Sequence, residues 1–140
     1  IPVKCKHGLK RTGYLQAEIC EIRWVPRGHT IGYGAAYVTK KPTKIAIVPL
    51  GYADGYMVEK MRDIYRFRDA VRYALSAVKK WISGGKFYVS VGGRKARVLG
   101  HVGMGHTVLD VTDIDCAVGT KVNFDVSPMY IGAQVERKYV

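Results

Sequence analysis

A chain of 140 residues with 48% hydrophobic content is one domain long and can bury a single core. No apolar run approaches the roughly 20 residues that cross a bilayer, and no signal peptide is expected before the domain. Net charge is +12, from 23 Lys and Arg against 11 Asp and Glu, which raises nucleic acid or an acidic surface as a partner.

The basic residues are scattered, however, and no RNA-binding aromatic motif accompanies them. A solvated surface, or one that meets an acidic neighbouring domain, is therefore expected, and nucleic acid is not. Three cysteines, Cys5, Cys20 and Cys116, form no Cys-x-x-Cys pair, as expected of reduced thiols in a cytoplasmic protein. Neither Cys5-x-His7 nor His101 with His106 has the spacing of a zinc site, so no metal is expected. The chain opens on Ile1 without a methionine, which fits a piece of a larger protein.

Sixteen glycines and ten tyrosines favour a β-rich domain with tight turns. In chain order, Leu15-Gln16-Ala17-Glu18-Ile19 alternates as a strand with one wet face. The phase then slips, with Cys20, Ile22 and Trp24 apolar between Glu21 and Arg23, and this predicts a bulge or bend near Cys20. Pro26-Arg27-Gly28 turns the chain into a predicted strand through Tyr33. Residues 44–50 form a predicted central strand, with Pro49 bending its end.

Asp69 is placed to cap a helix over 69–83, apolar at Val71, Leu75, Val78 and Ile82 and basic at Arg72, Lys79 and Lys80, which Gly84 ends. The helix packs on the core or meets a partner or a membrane. Four further strands are predicted at 87–91, 96–102, 107–111 and 121–126. Gly92-Gly93 makes a hairpin between the first two, and Val118-Gly119-Thr120 supplies another turn. The expected fold is mostly β, a small barrel or sandwich-like domain with one inserted helix.

Two tyrosines stand in glycine-lined settings. Tyr33 lies in Ile31-Gly32-Tyr33-Gly34-Ala35-Ala36-Tyr37, where flanking glycines remove two β-carbons and admit a second backbone or a ligand. Tyr52 lies in Pro49-Leu50-Gly51-Tyr52-Ala53-Asp54-Gly55, directly after an apolar strand. With Leu99-Gly100-His101-Val102-Gly103-Met104 they form an ordered set. A single glycine-rich string is weak evidence, but three in order are specific. The set resembles the C-terminal β-domain of alanine racemases, from about Gly8 to Val140 apart from an insertion near 57–86.

The resemblance implies an isomerase that uses pyridoxal 5'-phosphate (PLP) to interconvert L- and D-alanine, feeding D-alanine to peptidoglycan synthesis. Racemisation needs a proton donor and acceptor on each face of Cα, with PLP as electron sink. By motif match Tyr33 is the catalytic tyrosine, set against a Schiff-base lysine on the other face. Met104 matches the methionine whose backbone N–H meets the substrate carboxylate, and Tyr52 a tyrosine near the substrate and its entry channel. A free tyrosine has pKa about 10, so on the order of 0.1% is ionised at pH 7, and lowering that value by two to three units takes roughly 3–4 kcal/mol. A close cationic or hydrogen-bonding partner is needed, and none is identifiable in this chain.

The same resemblance implies that the lysine and phosphate site belong to an N-terminal β/α barrel, absent from this chain and some 200 or more residues long. It implies a head-to-tail homodimer in which this domain completes the partner's site, so that alone it is inactive. Three departures bear on substrate choice. Gly105 stands where an acidic residue usually follows the methionine. Ala133-Gln134-Val135-Glu136-Arg137 replaces Tyr-Arg-Val-Pro-Arg, and the short helix before that segment is not expected. A serine or broad-specificity racemase, including membrane-linked relatives in vancomycin resistance, is the alternative. So is a β-domain kept only for dimerisation or for nucleic acid.

Overall fold

The computed structural model describes residues 14–58, 87–126 and 128–138, with Tyr33 described by its backbone. The predicted helix over 69–83, Cys5, His7 and most of the 57–86 insertion lie outside these residues. Among the described residues, no helix is long and apolar enough to cross a membrane.

Alternation shapes the first strand, β1 (Leu15–Glu18), with Leu15 buried and Gln16 and Glu18 exposed. The chain bends at the expected place. The Ile19 N–H bonds the Thr120 carbonyl at 3.0 Å, while the Cys20 N–H bonds the Ile47 carbonyl at 2.9 Å. One residue thus changes neighbours, and β2 (Glu21–Val25) continues against a different strand, β5 (Thr43–Val48). The remaining strands are β6 (Tyr88–Val91), β7 (Arg94–Val98), β8 (Thr107–Asp110) and β9 (Lys121–Phe124).

These strands build one antiparallel seven-stranded sheet in the order β1-β9-β6-β7-β8-β5-β2. Its edge strands β1 and β2 are joined only through Ile19 and Cys20, so the sheet curls into a half-barrel with its edges close together. The predicted strand at 44–50 is flanked on both sides, by β2 and β8. Gly92 and Gly93, with φ of 54° and 85°, make the predicted hairpin of β6 and β7.

The concave face holds the main core, with Leu15, Ile19, Val48, Leu109, Val111, Val122 and Phe124 almost wholly buried. Tyr56 closes it edge-on against Phe124, ring centres 4.8 Å apart. A second cluster, Val25, Ile31, Ile45, Leu99 and Val108, lies apart from the first. It is covered by a short hairpin of β3 (Thr30–Ile31) and β4 (Tyr37–Val38), with Tyr37 packed against it.

Three expectations change. Tyr33 does not lie on a strand: it opens a short kinked turn, Tyr33–Ala35, with left-handed backbone at Gly34, at the tip of the β3–β4 hairpin. Gly32 and Gly34 have φ of 83° and 67°, which pleated strand geometry excludes. The strand predicted over 96–102 stops at Val98, because Gly100 has φ of 70° and turns the chain into a loop. A short 3-10 turn, Pro128–Tyr130, also precedes the C-terminal segment, where no helix was expected.

Candidate functional site

The loop between β7 and β8, residues 99–106, is the hub of the site. It is pinned at its base where the Leu99 N–H bonds the Val108 carbonyl, and at its tip where the Gly103 N–H bonds the His106 carbonyl, both at 2.9 Å. Met104 and Gly105 therefore form the crown of a tight turn. The Met104 side chain is 62% exposed, and no described residue accepts its backbone N–H. The His106 ring lies over Gly103, filling the space that a β-carbon there would need.

The other two glycine motifs dock on this loop through their backbones. A β-carbon on Gly32 would come within 3.0 Å of the His101 nitrogen and 3.2 Å of the Gly100 Cα. Gly100 is equally confined, since a β-carbon there would collide with the Ile31 carbonyl at 2.6 Å. The backbone just before Tyr33 thus lies directly on the base of the loop. Ala35, next in the turn but one, has φ of 52°, an uncommon geometry for a residue with a side chain.

Tyr52 meets the loop from the other side. It opens the 3-10 turn Tyr52–Asp54. Its N–H bonds the Gly103 carbonyl at 3.1 Å, and the Ala53 N–H bonds the Met104 carbonyl at 3.0 Å. A carboxylate oxygen of Asp54 accepts the Gly51 N–H at 2.9 Å, which holds the turn closed. Upstream, the buried Thr107 hydroxyl donates to the Leu50 carbonyl at 2.6 Å and ties the segment to β8. The Tyr52 ring is half-exposed.

Beside Tyr52 opens a cavity of about 350 Å³ lined by Tyr52, Met57, Phe87, Val98, Gly100, His101 and Val102. Its wall is mixed in polarity, with Met57, Phe87, Val98 and Val102 as apolar side chains and Tyr52 and His101 as polar ones. Among the described residues, no lysine or arginine lines it. Among the described residues, no three of His, Cys, Asp and Glu gather as a metal site would require.

The structure therefore brings together the backbones of all three predicted segments. Met104 lies in a loop crown, and Tyr52 follows its strand on a separate turn. Sequence reasoning missed Gln134, whose side-chain amide donates to the Ala53 carbonyl at 2.7 Å. It also missed His101, Met57 and Phe87 as cavity walls. Only the glycine beside His101 hinted at its place, while Met57 and Phe87 are far apart in sequence and carried no signal.

Residues 13–133 match the family described as "Alanine racemase, C-terminal domain". The chain is similar to an amino-acid racemase of Enterococcus faecalis, 31% identical over 111 residues, covering 79% of this chain and 12% of that protein. A catabolic alanine racemase of Pseudomonas putida is 32% identical over 111 residues, covering 79% of this chain and 25% of that protein. The solved alanine racemase of Acinetobacter baumannii superposes with a TM-score of 0.60 at 25% identity, over 81% of this chain and 25% of the other. The chain thus spans a quarter or less of the proteins it matches. With three motifs meeting on one loop and a family match over most of its length, the chain belongs to the alanine racemase C-terminal domain family.

Proposed function

We propose that this chain is the C-terminal catalytic domain of a PLP-dependent alanine racemase, interconverting L- and D-alanine in the cytoplasm as part of a homodimer. The observation that carries the reading is the meeting of the Tyr33, Tyr52 and Met104 segments on residues 99–106. PLP, when bound, supplies the electron sink, and the groups that hold it belong to the rest of the protein. This chain's own contribution is to proton transfer and substrate placement.

In this reading Tyr33 holds and moves one proton at its phenol oxygen, taking it from Cα of L-alanine and returning it in the reverse direction. Its position on a turn with glycine on both sides keeps bulk away from the approaching substrate. The Met104 N–H, without an acceptor among the described residues, meets the substrate carboxylate in this reading. Tyr52 narrows the approach with its exposed ring. The similarity to an amino-acid racemase supports a wider substrate range as the second reading.

The test is racemisation by the full-length protein, followed by chiral chromatography with L-alanine and with L-serine. Conversion of L-alanine at a higher kcat/KM than serine supports the first reading, and the reverse order supports the second. No conversion of either would refute both. The isolated chain is expected to be inactive in the same assay.

A further inference from the structure

We propose that Gln134 is a positioning residue for the substrate contacts at Met104 and Tyr52, an inference that rests on the racemase reading above. The Tyr52–Asp54 turn carries Tyr52 and registers the Met104 loop, yet it is hinged on glycine at both ends. Gly51 precedes it and Gly55, with φ of 95°, follows it. Bonds inside the turn, from the Gly51 N–H to the Asp54 carboxylate and from the Tyr56 N–H to the Gly51 carbonyl, fix its shape, so its position depends on what holds it from outside.

It is held on two sides. Toward the loop, the Ala53 N–H donates to the Met104 carbonyl at 3.0 Å. On the next peptide unit the Ala53 carbonyl accepts from the Gln134 side-chain amide at 2.7 Å. A carbonyl only accepts, so the nitrogen end of the amide must face it. Gln134 and Met104 therefore grip adjoining peptide groups of one short turn.

Gln134 is itself fixed in place. The Val135 N–H bonds the Gly132 carbonyl at 3.2 Å, closing a tight turn that presents the amide. Ile131 and Val135, at the two ends of that turn, pack against the main core. Gly132 leaves the room that the amide occupies, because a β-carbon there would run into the Gln134 amide group. Further back, the Tyr130 carbonyl lies so close to Gly55 that a β-carbon on Gly55 would collide with it. The C-terminal segment thus clamps the Tyr52 turn at two points, and Gln134 is the only side-chain donor among the described residues in that clamp.

The test is made in the full-length protein with Gln134→Ala, Gln134→Glu, Gln134→Arg and Gly132→Ala, measuring KM and kcat for alanine in both directions alongside thermal stability. Gln134→Glu keeps length but presents no N–H, whereas Gln134→Arg keeps planar N–H donors. The expected result is a KM raised about three- to tenfold in Gln134→Ala and Gln134→Glu with kcat within about twofold, as loss of one ground-state contact requires. Gly132→Ala, which displaces the amide without removing it, shows the same split, and Gln134→Arg restores KM. A merely structural role would lower stability in all four and leave KM unchanged, and that result would overturn the proposal, as would a KM defect that Gln134→Arg fails to repair. Wild type and Tyr33→Phe are run in parallel. Racemisation by wild type that Tyr33→Phe loses keeps the parent reading whatever Gln134 does, while an inactive wild type removes both.

Discussion

Ala53 donates its backbone N–H to the Met104 carbonyl at 3.0 Å, and this bond joins two sequence motifs that lie some fifty positions apart. Together with the Tyr52 bond to Gly103 it makes a two-rung backbone ladder at the site. Side-chain chemistry does not produce that ladder; close approach of main chains does.

Gly51 is what allows the approach. Its φ of −144° is open to any residue, so the requirement is space and not dihedral freedom. A β-carbon at Gly51 would strike the Gly103 and Met104 carbonyls, which are backbone and cannot swing aside. Gly51→Ala should lower stability by at least about 2 kcal/mol in urea unfolding. At Gly105 a β-carbon meets nothing within 4 Å, so Gly105→Ala should stay within about 0.5 kcal/mol of wild type.

Tyr56 carries a pH signature. Burial pushes its phenol up from 10.0 to about 12. A folded-state pKa above the unfolded value means the contribution is complete below about pH 10 and is lost as pH rises toward 12. The two-unit difference corresponds to about 2–3 kcal/mol across that window. Tyr56→Phe keeps the ring against Phe124 and removes the titration. Denaturant midpoints at pH 8, 10 and 11.5 should fall less steeply for the variant than for wild type.

Arg97 stands over the Tyr37 ring, its guanidinium carbon 5.4 Å from the ring centre, while its Nε is buried without a hydrogen-bond partner among the described residues. The attraction is worth about 0.5–2 kcal/mol, and the unmade bond costs a similar amount. Arg97→Met should therefore change stability by less than about 1 kcal/mol in the same urea assay, since the two effects oppose each other.

Much of the sheet was legible because its strands alternate. The slip of phase at Cys20 announced the bend, and Gly92-Gly93 announced a hairpin. The bend's consequence was not legible. That β1 and β2 lie at opposite edges follows from β9 and β5, which pair with them from distant parts of the chain. Tyr33 was misplaced on a strand because apolar and aromatic neighbours mask the positive φ that Gly32 and Gly34 adopt. Gln134 was invisible for a related reason: its acceptor is a backbone carbonyl 81 positions away, and no residue type marks a carbonyl.

The central claim is that Tyr33 moves the Cα proton of L-alanine. The most direct measurement is loss of the Cα proton from L-alanine in deuterium oxide, followed by NMR, with full-length wild type and Tyr33→Phe. Tyr33→Phe is expected to lose at least about a hundredfold of the exchange rate from L-alanine, the usual scale for removing a general base. Exchange at the wild-type rate in Tyr33→Phe would contradict it and leave this domain a structural partner in the enzyme.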